Sequence, residues 1–314
     1  MSRVLVTGGA GFIGSHLCDA LLARGNSVTA LDDLSTGALA NLESARTAAN
    51  FNFLHGDVRA HIAGEFELVF HLACPASPAF YRRDPVRTLD VSVNGTLAVL
   101  ELARSCGARV VLASTSEVYG DPAVHPQRES YFGNVNTQGP RACYDEGKRA
   151  AETLAADYRR AHGVDARIAR IFNTYGPRMA LGDGRVVSNF VVAALRGEPL
   201  KLIGGGAHSR SFCYVSDMVE GLLALAAYTG PDAGPPFNLG MPQEVTIREL
   251  AQRVLKLADS RSPLEVEPAE PGEPARRCPD ITRARKLLGF DPRMTLDEGL
   301  QLMITDIRAR AGSG

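Results

Sequence analysis

The chain has 314 residues, enough for a complete α/β domain, a smaller second lobe and a large buried core. Its 34 basic and 35 acidic residues nearly cancel, which excludes binding to nucleic acid or to an anionic membrane through bulk charge. No apolar run approaches the roughly 20 residues that span a bilayer, and the start "MSRVLVTGG" enters a strand without a leader.

The six cysteines are scattered without a CxxC pair, so we expect reduced thiols. The seven histidines show no zinc-binding spacing, and no metal is expected. These features predict a soluble, cytoplasmic protein.

In chain order, the first half alternates short apolar runs with helical patterns. The runs are "RVLVT", "SVTALD", "NFLHGDV", "LVFHLA", "VVLAS" and "DARIARIF". Their continuous hydrophobicity is typical of parallel strands covered by helices on both faces. Helical stretches such as "SHLCDALLARG" lie between them, and the rhythm predicts an α/β fold with a Rossmann-like, doubly wound parallel sheet.

After about residue 175 the sequence becomes rich in Gly, Pro and Arg, which predicts a smaller, loop-rich C-terminal lobe. We assign residues 1–175 to the dinucleotide-binding domain, with a return segment near 212–240, and residues 176–211 and 241–314 to the second lobe. Capping boxes predict helix starts at Thr246 with Glu249 and at Thr295 with Glu298.

The segment "VTGGAGFIGSH" joins the first strand to the first helix. It fits GxGxxG through Gly9, Gly11 and Gly14, and GxxGxxG through Gly8, Gly11 and Gly14. Glycines there allow a tight turn and bring the backbone close to a pyrophosphate at the helix N-terminus. A purely structural turn is the alternative, but the strand and helix on either side favour a dinucleotide site.

The second strand ends in "VTALDD". Asp32 lies 18 residues past Gly14, where a carboxylate binds the adenosine ribose and repels a 2′-phosphate, so NAD is favoured over NADP. A solvated loop aspartate is the alternative. Asp57 and Val58, in "HGDV", end the third strand at the expected edge of the adenine, although "GD" is also common in turns.

The segment "CYDEGKRAAET" places Tyr144 four residues before Lys148, on one face of a helix. A nearby ammonium lowers the pKa of a phenol, so the pair predicts a catalytic base. A surface pair is the alternative. The fifth strand favours catalysis, because "VVLASTSEVYG" ends it with Ser114, Thr115 and Ser116, and hydroxyls at a strand's carboxyl end can orient a substrate proton.

From residue 3 to about 300, the chain resembles the extended short-chain dehydrogenase/reductases, the NAD-dependent sugar-nucleotide epimerases and dehydratases. Within them it resembles the UDP-glucuronate decarboxylases (UDP-xylose synthases). The matching segments are "FHLACPASP", "ASTSEVYGDP", "GPRACYDEGKR", "ARIFNTYGPRM" and "DGRVVSNF".

This resemblance implies a catalytic cycle with tightly bound NAD. Tyr144 takes the proton of the C4 hydroxyl, Lys148 tunes the phenol and Thr115 bridges it to the alcohol. Glu117, together with Arg277, takes part in proton transfer and steers the sugar carboxylate, and Ser116 lies beside Glu117. Arg276 is the neighbouring residue that could be mistaken for Arg277. The 4-keto sugar loses CO₂, C5 is protonated, and reduction gives UDP-xylose.

The resemblance also implies two sets of binding residues. The cofactor set is Gly8, Gly11, Phe12, Ile13, Gly14, Asp32, Asp33, Thr36, Gly37, Asp57, Val58, Leu72, Ser114, Tyr144 and Lys148. The substrate set, for a UDP-sugar, is Asn173, Arg178, Arg185, Asn189 and Arg210, because arginine suits a diphosphate.

The chain departs from the family in two places. Asp90-Val91-Ser92 stands where the family has Lys-Thr-Asn, which predicts a reversed charge near the anionic sugar, and Ile203 stands where an aromatic residue is usual. Release of the keto-pentose before the second hydride transfer is one hypothesis for such a site. C4 epimerisation, 4,6-dehydration and non-catalytic NAD binding remain alternatives.

Family members commonly form homodimers through a four-helix bundle. The corresponding helices here are residues 88–106 and 144–161, with Leu154 and Tyr158 as candidate contacts.

Overall fold

The computed structural model describes residues 1–268 and 276–311. The strands are β1 (Arg3–Thr7), β2 (Ser27–Asp32), β3 (Phe51–His55), β4 (Leu68–His71), β5 (Arg109–Thr115), β6 (Ala166–Ile171), β7 (Thr174–Tyr175), β8 (Leu200–Ile203), β9 (Ser209–Ser211), β10 (Cys213–Tyr214), β11 (Phe237–Leu239), β12 (Glu244–Thr246), β13 (Leu264–Glu267) and β14 (Arg276–Arg277). The helices are α1 (Phe12–Ala23), α2 (Pro78–Tyr81), α3 (Pro85–Asp90), α4 (Thr96–Cys106), α5 (Ala142–His162), α6 (Val186–Arg196), α7 (Val215–Ala227), α8 (Ile247–Ala258), α9 (Thr282–Leu288) and α10 (Leu296–Ala311).

The main sheet has seven strands in the order β11-β6-β5-β4-β1-β2-β3, and every neighbouring pair is parallel. The chain leaves β1 toward β2 and β3 on one side, and then returns to β4, β5 and β6 on the other. This reversal opens a crevice at the carboxyl ends of β1 and β4, where ligands bind in such sheets. The predicted Rossmann-like class is confirmed.

Successive side chains of the strands enter two separate cores, as the pleat requires. Val4 and Val6 pack with Leu17 of α1 on one face, whereas Leu5 packs with Val99 and Leu100 of α4 on the other. All these side chains are buried, which explains why the strands read as continuous apolar runs.

The second lobe combines α6, α8 and α10 with two small sheets, β13–β8 and β12–β9–β14. Both predicted capping boxes are confirmed. The hydroxyl of Thr246 accepts a bond from the Glu249 N–H at 3.1 Å, and the Glu249 carboxylate accepts one from the Thr246 N–H at 2.8 Å. Thr295 and Glu298 repeat the arrangement.

The return of the chain to the main sheet uses α7 and β11. β11 pairs with β6, and α7 packs against β5 and β6. Residues 269–275 and 312–314, which belong to the predicted second lobe, lie outside the described residues. None of the helices in residues 1–268 and 276–311 has the length and apolarity needed to cross a bilayer.

Candidate active site

The glycine loop makes the turn from β1 into α1. Gly8 has a φ of +70°, and a Cβ on Gly14 would lie 2.1 Å from the Gly8 carbonyl oxygen. Gly11 is the N-cap of α1, and no side chain caps this helix, so its first N–H groups are available to an anion. Gly9 instead packs on β2, where its Cβ would lie 2.6 Å from that of Ala30. The loop therefore follows the GxxGxxG form and fits a dinucleotide pyrophosphate.

Replacing Gly14 with alanine tests this fit. Overpacking against backbone costs about 1–3 kcal/mol, so we expect dinucleotide binding to weaken about tenfold to a hundredfold. Calorimetric titration and the nucleotide content of the purified protein measure the effect. Gly182→Ala is the matched control, because a Cβ there meets no atom within 4 Å. Equal dinucleotide content in Gly14→Ala and wild type would contradict the assignment.

Two carboxylates stand at the end of β2. Asp32 is 7% exposed, and its oxygens accept bonds from the N–H groups of Ala10 at 2.9 Å and Leu34 at 2.8 Å. Burial raises the pKa of Asp32. Gly37 packs behind this carboxylate, since a Cβ there would lie 2.9 Å from Asp32 Oδ1. Gly37 thus supports Asp32 and does not face the cavity described below.

A network of ion pairs surrounds the ends of β2 and β3. Arg87 of α3 donates to Asp33 at 2.7 Å and lies 3.8 Å from Asp57, and Arg59 pairs with both Asp57 and Asp90. Hydrogen bonds from Arg59 hold the pKa of Asp57 at about 2. The prediction that Asp90 confronts the anionic sugar is wrong, because Asp90 is neutralised by Arg59 and does not line the cavity.

Tyr144 and Lys148 lie one turn apart at the start of α5, and both are buried. The Lys148 ammonium donates to the carbonyl of Ala113 at 2.8 Å and lies 6.0 Å from the centre of the Tyr144 ring. Thr115, at the end of β5, is hydrogen-bonded to the phenol. The spacing read from the sequence therefore gives a Tyr–Thr–Lys arrangement.

The pKa of Tyr144 differs from the sequence-based expectation. Burial raises it, and the nearby Cys74 adds to the increase, whereas the Thr115 hydrogen bond and the charge of Arg185 act in the opposite direction. The predicted decrease is wrong for the ligand-free protein, because loss of hydration outweighs the surrounding positive charge. The ring of Tyr81 stacks on Tyr144 at 5.2 Å, nearly parallel.

Glu117 is held between two arginines. Arg277 of β14 pairs with one carboxylate oxygen and Arg141, the N-cap of α5, with the other. Burial alone would raise the pKa of Glu117, but the charges of Arg277 and Arg141 lower it. Arg277 is 4% exposed, while its neighbour Arg276 is exposed, so Arg277 is the arginine in the site.

The other hydroxyl groups at the end of β5 form hydrogen bonds with other groups. The Ser114 hydroxyl donates to Glu152 of α5 at 2.5 Å. Ser116 begins a short 3₁₀ turn, Ser116–Tyr119, and the Thr115 hydroxyl accepts a bond from the N–H of Glu117 at 3.2 Å. This turn directs Glu117 toward Arg277.

Three arginines come from the second half of the chain. Arg185 precedes α6 and is bound by Asp183 at 2.5 and 2.8 Å. Arg178 donates to Asp19 of α1 at 2.7 Å, and Arg210 on β9 donates to the Ser209 carbonyl at 2.9 Å. Each also lines the cavity, so each can contribute positive charge to an anion there.

These groups line one cavity of about 780 Å³ that runs from the glycine loop to the second lobe. All predicted catalytic and substrate residues line it, and so do the predicted cofactor residues other than Gly37. They are Gly8, Gly11, Phe12, Ile13, Gly14, Asp32, Asp33, Thr36, Asp57, Val58, Leu72, Ser114, Thr115, Ser116, Glu117, Tyr144, Lys148, Asn173, Arg178, Arg185, Asn189, Arg210 and Arg277. Ile203, at the end of β8, lies there too.

Sequence reasoning missed several residues of this site. Arg141 lies three positions before Tyr144, on the same side of α5, and helical spacing could have revealed it. Tyr81 and Asp183 act through contacts with Tyr144 and Arg185 that no local pattern predicts.

The arrangement supports specific chemistry. A buried phenol, bonded to a threonine hydroxyl near a dinucleotide loop, can exchange a proton with a substrate alcohol. The adjacent arginine pair on Glu117 can bind a carboxylate.

Comparisons with known proteins agree with this geometry. The model of the NAD dependent epimerase/dehydratase family matches residues 4–240. UDP-glucuronic acid decarboxylases 2 and 5 of Arabidopsis thaliana are 53% and 52% identical to the chain, over 98% and 99% of its length and 68% and 90% of theirs. The crystal structure of UDP-glucuronic acid 4-epimerase from Bacillus cereus, in complex with UDP-glucuronic acid and NAD, superposes with a TM-score of 0.88 at 26% identity. That match covers 98% of this chain and 99% of the epimerase.

Proposed function

Because the chain belongs to the NAD-dependent epimerase/dehydratase family, we propose that it converts UDP-glucuronate to UDP-xylose through a UDP-4-keto-pentose. The observation that carries this proposal is the ion pair of Glu117 with the buried Arg277, which shares the cavity with Tyr144. An arginine suited to a sugar carboxylate thus lies near the group that handles the C4 proton. The likeness to decarboxylases along nearly the whole chain supports the same activity.

The cofactor is NAD. When bound, it would supply hydride transfer from C4 and back, and its oxidised form would add positive charge to the cavity. The turn of Gly8, Gly11 and Gly14 would hold its pyrophosphate. Asp32 and Asp33 line the cavity where they would meet the adenosine ribose, and their charges would disfavour a 2′-phosphate.

Tyr144 and Thr115 move the proton of the C4 hydroxyl. The phenol is neutral in the free protein, because its pKa is raised by burial. It becomes a base when positive charge enters the cavity beside it, with Lys148 fixed nearby on the Ala113 carbonyl. The same phenol returns the proton when the ketone is reduced.

Decarboxylation follows from the new ketone. C4 is then β to the carboxylate, so the C5–C6 bond can break and leave its electrons in a C4–C5 enolate as CO₂ departs. Arg277 steers the carboxylate. The proton that C5 gains comes from solvent, and Glu117 takes part in that transfer. The closeness of these two side chains in the structure supports both roles.

The second lobe, residues 176–211 and 241–314, binds the UDP group in this proposal. Arg178, Arg185 and Arg210 of this lobe supply charge for the diphosphate. Asn189 of the lobe and Asn173, which lies at the end of the first domain, supply amide groups. Residues 1–175, with the return segment 212–240, hold NAD. Ile203 offers the uridine an aliphatic contact in place of an aromatic ring, which weakens stacking.

C4 epimerisation is the second candidate, since the epimerase superposes closely. It requires the keto sugar to turn over in the cavity with its carboxylate intact. Dehydration needs an Asp-Glu pair where this chain has Ser116-Glu117. A protein that only binds NAD would not require Tyr144, Thr115 and Lys148 to lie together in the cavity.

UDP-glucuronate labelled at C6 distinguishes these activities. We expect labelled CO₂ and UDP-xylose from the wild type. Accumulation of the 4-keto-pentose would indicate release before the second hydride transfer. A UDP-hexuronate without CO₂ would replace the proposal with epimerisation, and no turnover would favour the non-catalytic alternative.

We also propose a cytoplasmic homodimer built on α4 and α5. The free state of all six cysteines supports a reducing compartment. Leu89 and Leu97, 41% and 37% exposed, offer apolar contacts on the outer surface of α3 and α4. Leu154 and Tyr158 are half-buried, and Tyr158 donates to Glu101 of α4, which ties the two helices together.

Leu97→Arg tests the dimer. A charge in an apolar interface costs several kcal/mol when unpaired, so we expect the dimer to become a monomer in light scattering. Val266→Arg is the control, because Val266 is 66% exposed on β13, outside the proposed interface. A monomeric wild type, or a Leu97→Arg dimer as stable as the wild type, would contradict the assembly.

A further inference from the structure

Asp145, the residue after Tyr144, is buried without adequate hydrogen bonding. Its side chain is 7% exposed, and among the described residues Oδ1 has no hydrogen-bond partner. An ionised carboxyl in such a place is costly, because lost hydration is not replaced. The mechanism above assigns Asp145 no role.

The charges around Asp145 are those of the proposed carboxylate site. Asp145 follows Arg141 by one turn of α5, and its N–H donates to the Arg141 carbonyl at 3.1 Å. The charges of Glu117, Arg141 and Arg277 all act on its carboxyl group. Burial, reinforced by the charge of Glu117, raises the pKa of Asp145 to about 7 against the influence of the two arginines. Other titratable groups nearby are Glu146, which raises the pKa of Asp145 further, and the Tyr81 phenol and the Cys143 thiol, whose pKa values are raised by the charge of Asp145.

We propose that Asp145 controls, through its own proton, how well the site accepts a sugar that carries a carboxylate. This inference rests on the proposed function, and it adds a specificity-determining residue to it. As a neutral acid, Asp145 leaves the positive charge of Arg141 and Arg277 to the substrate. As a carboxylate, it adds one negative charge one helical turn from Arg141, which pairs with Glu117 in the proposed carboxylate site.

Ionisation of Asp145 should weaken the binding of UDP-glucuronate as the pH rises. A bound carboxylate makes ionisation of Asp145 harder, so binding of UDP-glucuronate favours the protonated form. Affinity must therefore fall as the pH rises past the pKa of Asp145 in the free protein. UDP-xylose has the same diphosphate and no carboxylate, so titrations that affect binding of the UDP group cancel in the ratio of the two dissociation constants. The Asp145→Asn variant then identifies the part that comes from Asp145.

Calorimetric titration of the NAD-loaded Tyr144→Phe protein measures both ligands without turnover. We expect the ratio of dissociation constants, UDP-glucuronate over UDP-xylose, to rise about tenfold between about pH 6 and about pH 8.5. Adding Asp145→Asn should hold the ratio at its low-pH value throughout. Adding Glu146→Gln, a change at the next residue, which lies 3.6 Å from Arg149, should keep the pH dependence.

A ligand-free measurement checks that Asp145 itself titrates. The pKa of Asp145 is higher in the folded protein than in the unfolded chain. The free energy of unfolding of the wild type therefore falls as the pH rises from the unfolded-state pKa to the folded-state pKa. The gain in melting temperature of Asp145→Asn over wild type should grow from about pH 4 to about pH 7 and then level off.

A pH-independent ratio, or an unchanged pH dependence in Asp145→Asn, would overturn the inference. These outcomes are separable from failure of the proposed function. CO₂ release without a change in the ratio rejects only the role of Asp145, whereas a pH-dependent ratio without CO₂ release rejects only the reaction.

Discussion

Tyr144→Phe should abolish most CO₂ release from UDP-glucuronate while NAD stays bound, with kcat reduced about 10²- to 10⁴-fold. The substitution removes the hydroxyl that is bonded to Thr115 and keeps the ring that stacks on Tyr81. The proton of the C4 alcohol then has no acceptor in the cavity wall at that point. Labelled CO₂ measures the rate, and the nucleotide content of the protein reports NAD.

Tyr158→Phe is the matched control for this variant. Tyr158 lies on the same helix but donates to Glu101 of α4 and does not line the cavity. We expect its kcat to stay within about twofold of wild type. A Tyr144→Phe protein that holds NAD and releases CO₂ at the wild-type rate would remove Tyr144 from the mechanism.

Arg277→Gln should lower kcat/KM for UDP-glucuronate about 10²- to 10³-fold. Removing one partner of a buried ion pair costs about 3–5 kcal/mol, and here it also removes the group that steers the sugar carboxylate. Glu117 keeps Arg141 as a partner, so part of the loss appears in binding and not in folding. Because UDP-xylose carries no carboxylate, its oxidation at C4 should fall much less, as measured by the near-ultraviolet absorbance of the reduced cofactor.

Arg276→Gln separates this role from the general charge of β14. Arg276 precedes Arg277 and is exposed, so its substitution should leave both reactions within about twofold of wild type. If Arg277→Gln lost both reactions equally, the arginine would serve the fold and not the carboxylate.

The fold could be predicted largely because its signals are local. The apolar strands, the glycine loop and both capping boxes depend on neighbouring residues, and the structure has them where the sequence placed them. The Tyr144–Lys148 spacing likewise fixes one face of one helix. The pairing of Glu117 with Arg277 joins residues 160 apart in sequence, and only the family resemblance suggested it.

Burial and unexpected partners explain what the sequence could not predict. The spacing of Tyr144 and Lys148 predicts a lowered pKa for the phenol. In the free protein, burial of Tyr144 raises that pKa instead. The sequence predicts a negative charge at Asp90 close to an anionic sugar, but Arg59 pairs with Asp90 and with Asp57. Both errors arise from distances and solvent access that a linear pattern does not contain.

The most direct test of the account follows the hydrogen on C4. The protein is given UDP-glucuronate deuterated at C4, and the UDP-xylose is analysed by mass spectrometry and NMR. If C4 gives its hydride to the bound nicotinamide and receives it back after CO₂ leaves, the product must retain deuterium at C4, and Tyr144→Phe must form almost none of it. UDP-xylose with ordinary hydrogen at C4, formed at an undiminished rate by Tyr144→Phe, would contradict the account.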